Sequence, residues 1–181
     1  MTIFSGHAQP VWPGSFNLAD VGGLPLTDGG VTRSQRVFRS GRPDYITAAG
    51  WIAARAAGVT TVIDLRNPGE ADRETGAPAV DADTVAVISF VACPTEDPHD
   101  PQFIELCGEW LDHPLSYPDT IHLFPDRFAA VFREIAGAES AVLVHCAAGR
   151  DRTGMVMAML LHLVGVVPEA IADDYVAATI R

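Results

Sequence analysis

The sequence predicts an α/β domain in which a central, largely parallel sheet is flanked by helices on both faces. The first observation behind this is alternation: short apolar, β-branched runs such as TTVIDL (60–65) and AVLVH (141–145) take turns with segments of helical periodicity. The second is composition, since 181 residues with 48% hydrophobic content suffice for one sizeable core. A single domain over 1–181 follows, because two complete domains would be cramped.

The first thirty residues are rich in Gly and Pro and read as loop with a short strand or hairpin. QRVFRSG (35–41) reads as a strand that stops at glycine. Thr47 caps a helix that runs to Gly58, where glycine ends it. Thr60–Leu65 is a buried strand followed by the turn RNPGE. Residues 71–83 are expected as turn or short helix, and TVAVISF (84–90) as the next strand. ACPTEDPHDP has three prolines in ten residues and breaks regular structure. Phe103, Ile104, Cys107, Trp110 and Leu111 then recur at helical spacing. SYPDTIHLFP reads as an interruption, and Asp126 as the cap of a helix through RFAAVFREIAG. AVLVH is a strand, TGMVMAMLLHLVG a core helix apolar on nearly every side, and VVPEAIADDYVAATI a last helix with Pro168 in its first turn. Ligands of such a sheet belong at the carboxyl ends of its strands.

Formal charge is −11 and the pI about 4.7, which argues against nucleic acid and against stable association with an anionic membrane. The basic residues are all arginine, the better bidentate partner for an oxyanion, so a local basic pocket remains compatible with the acidic whole. Cys93, Cys107 and Cys146 are too scattered for a disulfide framework and form no C-x-x-C pair, so no metal site is expected. Without an apolar run of about 18 residues or a secretion signal at the start, the expected location is cytoplasmic. Oligomeric state is not readable from the sequence.

The segment VLVHCAAGRDRTG (142–154) carries the chemistry. Cys146 stands where a strand ends, and the helix beginning near Thr153 follows a short loop. Backbone N–H groups of Ala147, Ala148, Gly149, Arg150, Asp151 and Arg152 can curl around a point above the sulfur, with the helix N-terminus adding its positive end. That is a nest for a tetrahedral oxyanion, and it favours the nucleophilic thiolate. Arg152 can grip two equatorial oxygens of a phosphoryl group. The small residues at 147–149 let backbone face the ligand, Thr153 can donate to the sulfur when it leaves, and His145 orients the loop. A nucleotide loop is excluded because G-x-x-x-x-G-K-[ST] is absent. His145 and Cys146 make a poor metal pair, since neighbours on a strand face opposite ways.

HCAAGRDRTG matches the H-C-x5-R-[ST] signature of the cysteine-dependent protein tyrosine phosphatase superfamily. NLADVGGLPLTDGG, VFRSGRPD and TVIDLRNPGE resemble successive motifs of its bacterial atypical branch, whose members include mycobacterial tyrosine and lipid phosphatases. The resemblance covers roughly Asn17 to Tyr175 and implies a phosphatase-like fold, a nucleophilic Cys146 and a phosphate-binding Arg152. No cofactor is implied. Arg150 stands where the branch usually has a lysine linked with dual activity on phosphotyrosine and phosphoinositides. Superfamily members usually protonate the leaving group with an aspartate on a mobile loop, which makes Asp97 the first candidate acid. Glu96, Asp100, Asp64 and the acidic residues at 112, 119 and 126 compete with it. Asp151 is expected to organise Arg152, Arg150 or a water, and can participate directly. Residues 101–125 resemble a helical lid insertion with Phe103, Trp110 and Leu111 inward, although the same residues can equally pack permanently on the core. Arg39 and Arg66, at strand ends, are candidates to strengthen the field around the phosphate, or else to form structural salt bridges.

The leading expectation is a phosphomonoester hydrolase acting through phosphocysteine on phosphotyrosine proteins or peptides. Phosphoinositide hydrolysis is the alternative. A rhodanese-like sulfurtransferase and a non-catalytic phosphate-binding protein stand behind it.

Overall fold

The computed structural model describes residues 9–71, 87–111 and 113–180. Five strands form one sheet in the order β1 (Ala19–Asp20), β2 (Val37–Ser40), β5 (Ala141–His145), β3 (Val59–Asp64), β4 (Ser89–Ala92). β1 runs antiparallel to β2, and the other pairings are parallel. The expected largely parallel sheet is therefore present, with one short antiparallel edge. Ser40 and Asp64 both pair with His145, so the carboxyl ends of β2, β3 and β5 finish abreast.

Alternate residues of β5 feed two cores, as the period of two requires. Val142 and Val144 face a cluster with Phe128, Val131, Met157 and Leu161. Ala141 and Leu143 face another with Phe38, Val62 and Trp51. The first core is closed by α5 (Pro125–Gly137), α6 (Asp151–Leu163) and α7 (Pro168–Thr179), the second by α1 (Ala48–Ala56). Thr47 caps α1 by accepting from the N–H of Gly50, and Gly58 follows the helix with φ of 90°. α6 is buried from Asp151 to Met157 and again at Leu161, while Leu163 is exposed.

Several local expectations need correction. The fourth strand starts at Ser89 and continues through Ala92; residues 84–86 of the expected strand, and most of the expected turn at 71–83, lie outside the described residues. SYPDTIHLFP does not interrupt regular structure. It forms a turn of 3-10 helix (Pro114–Ser116) and α4 (Tyr117–Leu123), because Pro118 falls in the first turn, where its missing N–H costs nothing. Asp126 is not a cap: α5 begins at Pro125 after Phe124, and Asp126 lies in the first turn. The capping carboxylate is Asp100, which accepts from the N–H groups of Gln102 and Phe103 at the start of α3 (Pro101–Cys107). Within this helical insertion Phe103 is buried against Phe124, whereas Leu111 is exposed and lines the cavity that Arg152 also borders.

Candidate active site

Cys146 leaves the central strand at the level of Ser40 and Asp64, and its side chain is almost wholly buried. The N–H of Gly149 donates to its Sγ at 3.3 Å. Gly149 has φ of 71°, and a Cβ there would stand 2.4 Å from the backbone of Ser40. Only glycine fits both demands.

The loop's carbonyls all point away from the sulfur because each has a partner elsewhere. Ala147 O accepts from the N–H of Arg42, and Arg150 O from that of Gly154. The Asn17 amide donates to the carbonyls of Ala148 and Gly149 at 3.0 and 3.1 Å and to Ala178 of α7 at 3.0 Å. Arg39, fully buried, donates to Gly149 O at 2.8 Å and pairs with Asp174 of α7 at 2.5 Å. Turning the carbonyls outward is what turns the amides inward, toward the position of an oxyanion. α6 begins at Asp151, two residues earlier than the sequence suggests, so its first turn lies against the loop. A Cβ on Gly154 would meet the ring of Tyr175 at 2.9 Å, so glycine there admits that ring.

Arg152 is buried at the rim of the loop and held by Glu70 of α2 (Pro68–Ala71) through two parallel bonds, Nη1 to Oε1 at 2.6 Å and Nη2 to Oε2 at 2.7 Å. Glu96 stands 3.5 Å from Nη1. Burial opposes ionisation of Glu70, and the hydrogen bonds from Arg152 overcome it, leaving the carboxyl below its ordinary value of 4.5. Arg152 borders a cavity of about 740 Å³ whose charged lining comprises Glu70, Glu96, Asp97 and Arg127.

The remaining expected residues divide. Asp64 accepts from the backbone and guanidinium of Arg66 at 2.8 to 3.1 Å and stands 3.8 Å from Nδ1 of His145. Burial raises its pKa, but those bonds and His145 more than offset this and hold it below the usual value. Buried His145 has its pKa lowered, mainly by loss of solvent. Its Nδ1 is 3.2 Å from the carbonyl of Cys146, which can only accept, so Nδ1 carries the proton. Arg66 also approaches Asp44 at 3.6 Å. Arg39, Arg66, Arg150 and Arg152 are thus each paired with a carboxylate, which for Arg39 and Arg66 is the salt-bridge alternative of the two the sequence left open. Thr153 is buried, with no hydrogen-bond partner for its hydroxyl among the described residues.

Asp97, the first candidate acid, lies on the cavity wall with its side chain 41% exposed, paired to Arg127 at 3.2 Å. Asp100 is occupied as a helix cap, and residue 112 lies outside the described residues. Asp151 is buried within the loop itself. It accepts from the hydroxyl of Tyr117 at 2.6 Å and from Nε of Arg150 at 3.0 Å, and Tyr117 in turn meets the hydroxyl of Tyr175 at 2.9 Å. Burial and the neighbouring Asp151 push the Tyr117 pKa well above the usual phenol range, so the hydroxyl keeps its proton.

A sequence profile described as the tyrosine phosphatase family matches residues 10–181. The chain belongs to that family. This tyrosine phosphatase family member is 30% identical over 187 residues to the triple specificity protein phosphatase PtpB of Mycobacterium tuberculosis, covering 90% of the chain and 66% of that protein. It is 36% identical over 144 residues to a tyrosine-protein phosphatase of Nostoc commune, covering 72% of the chain and 44% of that protein. The chain therefore spans less than two thirds of the length of either relative. Among solved structures, P. aeruginosa TpbA superposes with a TM-score of 0.52 at 19% identity, covering 99% of the chain and 90% of TpbA, and supports the fold.

Sequence reasoning missed Asn17, Glu70, Tyr117, Asp174 and Tyr175 as parts of this phosphatase-family site. Asn17 and Glu70 lie inside the motifs NLADVGG and RNPGE, but the phosphatase-like pattern gives them no individual role. Asn17 had one readable signal, because asparagine tolerates the positive φ of 52° that it adopts.

Proposed function

We propose that this chain is a cysteine-dependent phosphomonoester hydrolase whose substrates are phosphotyrosine proteins or peptides. The observation that carries the reading is the Cys146 loop, with its carbonyls held outward, an N–H aimed at the sulfur and Arg152 at its rim. Family membership supports the same chemistry. Cys146 Sγ attacks phosphorus in line, an S–P bond forms, and the bond to the leaving oxygen breaks as that oxygen takes a proton. Water then attacks the phosphocysteine, phosphate departs, and the sulfur recovers its electron pair. Inward amides and the Arg152 fork stabilise the equatorial charge in both transition states. The buried, unengaged hydroxyl of Thr153 is suited to donate to the departing sulfur.

Asp151 is the better proton donor on this geometry. It is fixed on the loop that carries the nucleophile, while Asp97 stands on the cavity wall; to serve, Asp151 must shed Arg150 and Asp97 must shed Arg127. Residues 101–125 act as a lid in this reading, with Leu111 on the cavity wall. The whole chain acts as one domain. Three buried, unpaired cysteines suit a reducing compartment such as the cytoplasm. Among the described residues no helix is long and apolar enough to cross a membrane.

Hydrolysis of an aryl phosphate by the intact protein and by Cys146→Ser tests the proposal. Turnover that falls by several orders of magnitude in the variant supports it, and ordinary activity in the variant overturns the covalent route. A phosphoinositide substrate is the second reading, because the motifs NLADVGGLPLTDGG, VFRSGRPD and TVIDLRNPGE resemble those of a branch that includes lipid phosphatases. A higher kcat/KM for phosphoinositide vesicles than for phosphotyrosine peptides, at matched ionic strength, would put it first.

A further inference from the structure

Asp151 is gripped from outside its own loop. Tyr117, the first residue of α4, donates to Oδ1 of Asp151 at 2.6 Å, and an ionised carboxylate can only accept. Tyr117 has one proton to give, so at its 2.9 Å contact with the hydroxyl of Tyr175 it is Tyr175 that donates. The three groups form a directed relay, from Tyr175 on α7 through Tyr117 on α4 to Asp151 at the start of α6. The two rings meet edge to face, with centroids 6.2 Å apart and planes at 78°, and the ring of Tyr175 fills the space that a side chain at Gly154 would need. A phenol-to-carboxylate bond as short as that of Tyr117 is of the strong, charge-assisted kind.

The relay makes the two oxygens of Asp151 unequal. Oδ1 faces Tyr117, while Oδ2 meets Nε of Arg150 at 3.0 Å, from an arginine whose side chain is 42% exposed. A proton on Oδ1 would point at a hydroxyl that is already donating and would force both tyrosines to reverse. A proton on Oδ2 requires only that Arg150 give way. We infer that Tyr117 is a positioning residue for Asp151: it holds Oδ1 as an acceptor, leaves Oδ2 as the oxygen that carries the catalytic proton, and steadies the carboxylate formed when that proton departs. The inference rests on the phosphatase reading with Asp151 as its acid. As the bond from phosphorus to the leaving oxygen breaks, the Oδ2 proton passes to that oxygen, and the charge left on Asp151 develops against a donor already in place. When water then attacks phosphorus and the S–P bond breaks, Oδ2 takes a proton back from that water.

Tyr117→Phe removes the donor and keeps the ring. Across a series of aryl phosphates its kcat/KM should fall about tenfold or more for phenyl phosphate and less than about twofold for an activated dinitrophenyl ester, which leaves without a proton. Affinity for inorganic phosphate, measured by calorimetry, should stay within about twofold, because the loop is held independently by Asn17 and Arg39. In an Asp151→Asn background the same change should add almost no further loss on phenyl phosphate. Tyr175→Phe, which keeps its ring against Gly154 and removes only the donor to Tyr117, should bend the series the same way by about threefold, and serves as the probe should Tyr117→Phe fold poorly. An equal loss for both esters accompanied by weakened phosphate binding would show a merely structural role and overturn the inference. So would a fully additive loss in the double variant, or a flat series in Tyr175→Phe if that is the variant that folds. An intact protein that turns over no aryl phosphate removes the phosphatase reading and this inference with it, whereas a flat series in variants of an active protein removes the inference alone.

Discussion

Arg39 donates to the carbonyl of Gly149 at 2.8 Å, joining the second strand to the turn of the nucleophile loop. The same guanidinium reaches Asp174 of α7, so one buried charge braces the loop from two sides. Removing it as Arg39→Met leaves Asp174 without this partner and Gly149 O without this donor. Breaking such a pair costs about 3–5 kcal/mol. Chemical denaturation should show a loss of that order, with kcat falling more than the stability loss alone accounts for. Asp174→Asn should reproduce part of both effects, and an unchanged kcat in a folded Arg39→Met protein would refute the bracing role.

The acid assignment predicts a leaving-group signature. Asp151→Asn should slow phenyl phosphate, a poor leaving group, roughly 100-fold or more, while affecting an activated, low-pKa leaving group far less. Asp97→Asn should show no such dependence. The opposite pattern in steady-state kcat would move the role to Asp97.

Gly149→Ala puts a methyl group against the backbone of Ser40 at a residue with φ of 71°. The loop must shift to accept it, so phosphate affinity and kcat should both collapse even if the fold survives. Calorimetry with inorganic phosphate checks the first and aryl phosphate turnover the second.

Three lowered pKa values predict the shape of acid unfolding. His145, lowered by burial, is neutral when folded, so the unfolded chain binds the extra proton and stability declines as pH falls below the unfolded value of 6.5. Asp64 and Glu70 are held ionised despite burial by Arg66 and Arg152. Their contribution is present above the unfolded values of 3.8 and 4.5 and disappears as pH falls through the lower folded ones. Urea midpoints should therefore decline first below about pH 6.5 and again below about 4.5. His145→Asn should flatten the upper step alone.

The nucleophile and its clamp were legible because their geometry is local. A strand, a run of small residues and a helix start lie within ten positions, and the backbone path between them is short. The partners of that loop were not, since Glu70 is 82 residues from Arg152, Asn17 is 132 from Gly149 and Asp174 is 135 from Arg39. Periodicity reports which face of an element is buried, but not which distant side chain it will meet. The same limit explains Arg39, whose partner Asp174 is distant in sequence; Arg66 and Arg150 pair instead with near neighbours, Asp64 and Asp151, the second of which was already expected to organise Arg150. Pro118 misled for a different reason, because proline ends a helix from within yet suits its first turn.

α7 supplies Asp174 to Arg39 and the carbonyl of Ala178 to Asn17, the two braces of the loop at residues 146–150, and Tyr175 to Tyr117 beside it. A ribosome makes the nucleophile before it makes these supports. A growing chain that has released Cys146 but not yet residue 178 already holds all five strands of the sheet, while its reactive sulfur stands on an unsupported turn. Competence thus waits for α7, and an arrested or clipped product ending at Val167 would be a protein with its reagent in place and no means of aiming it.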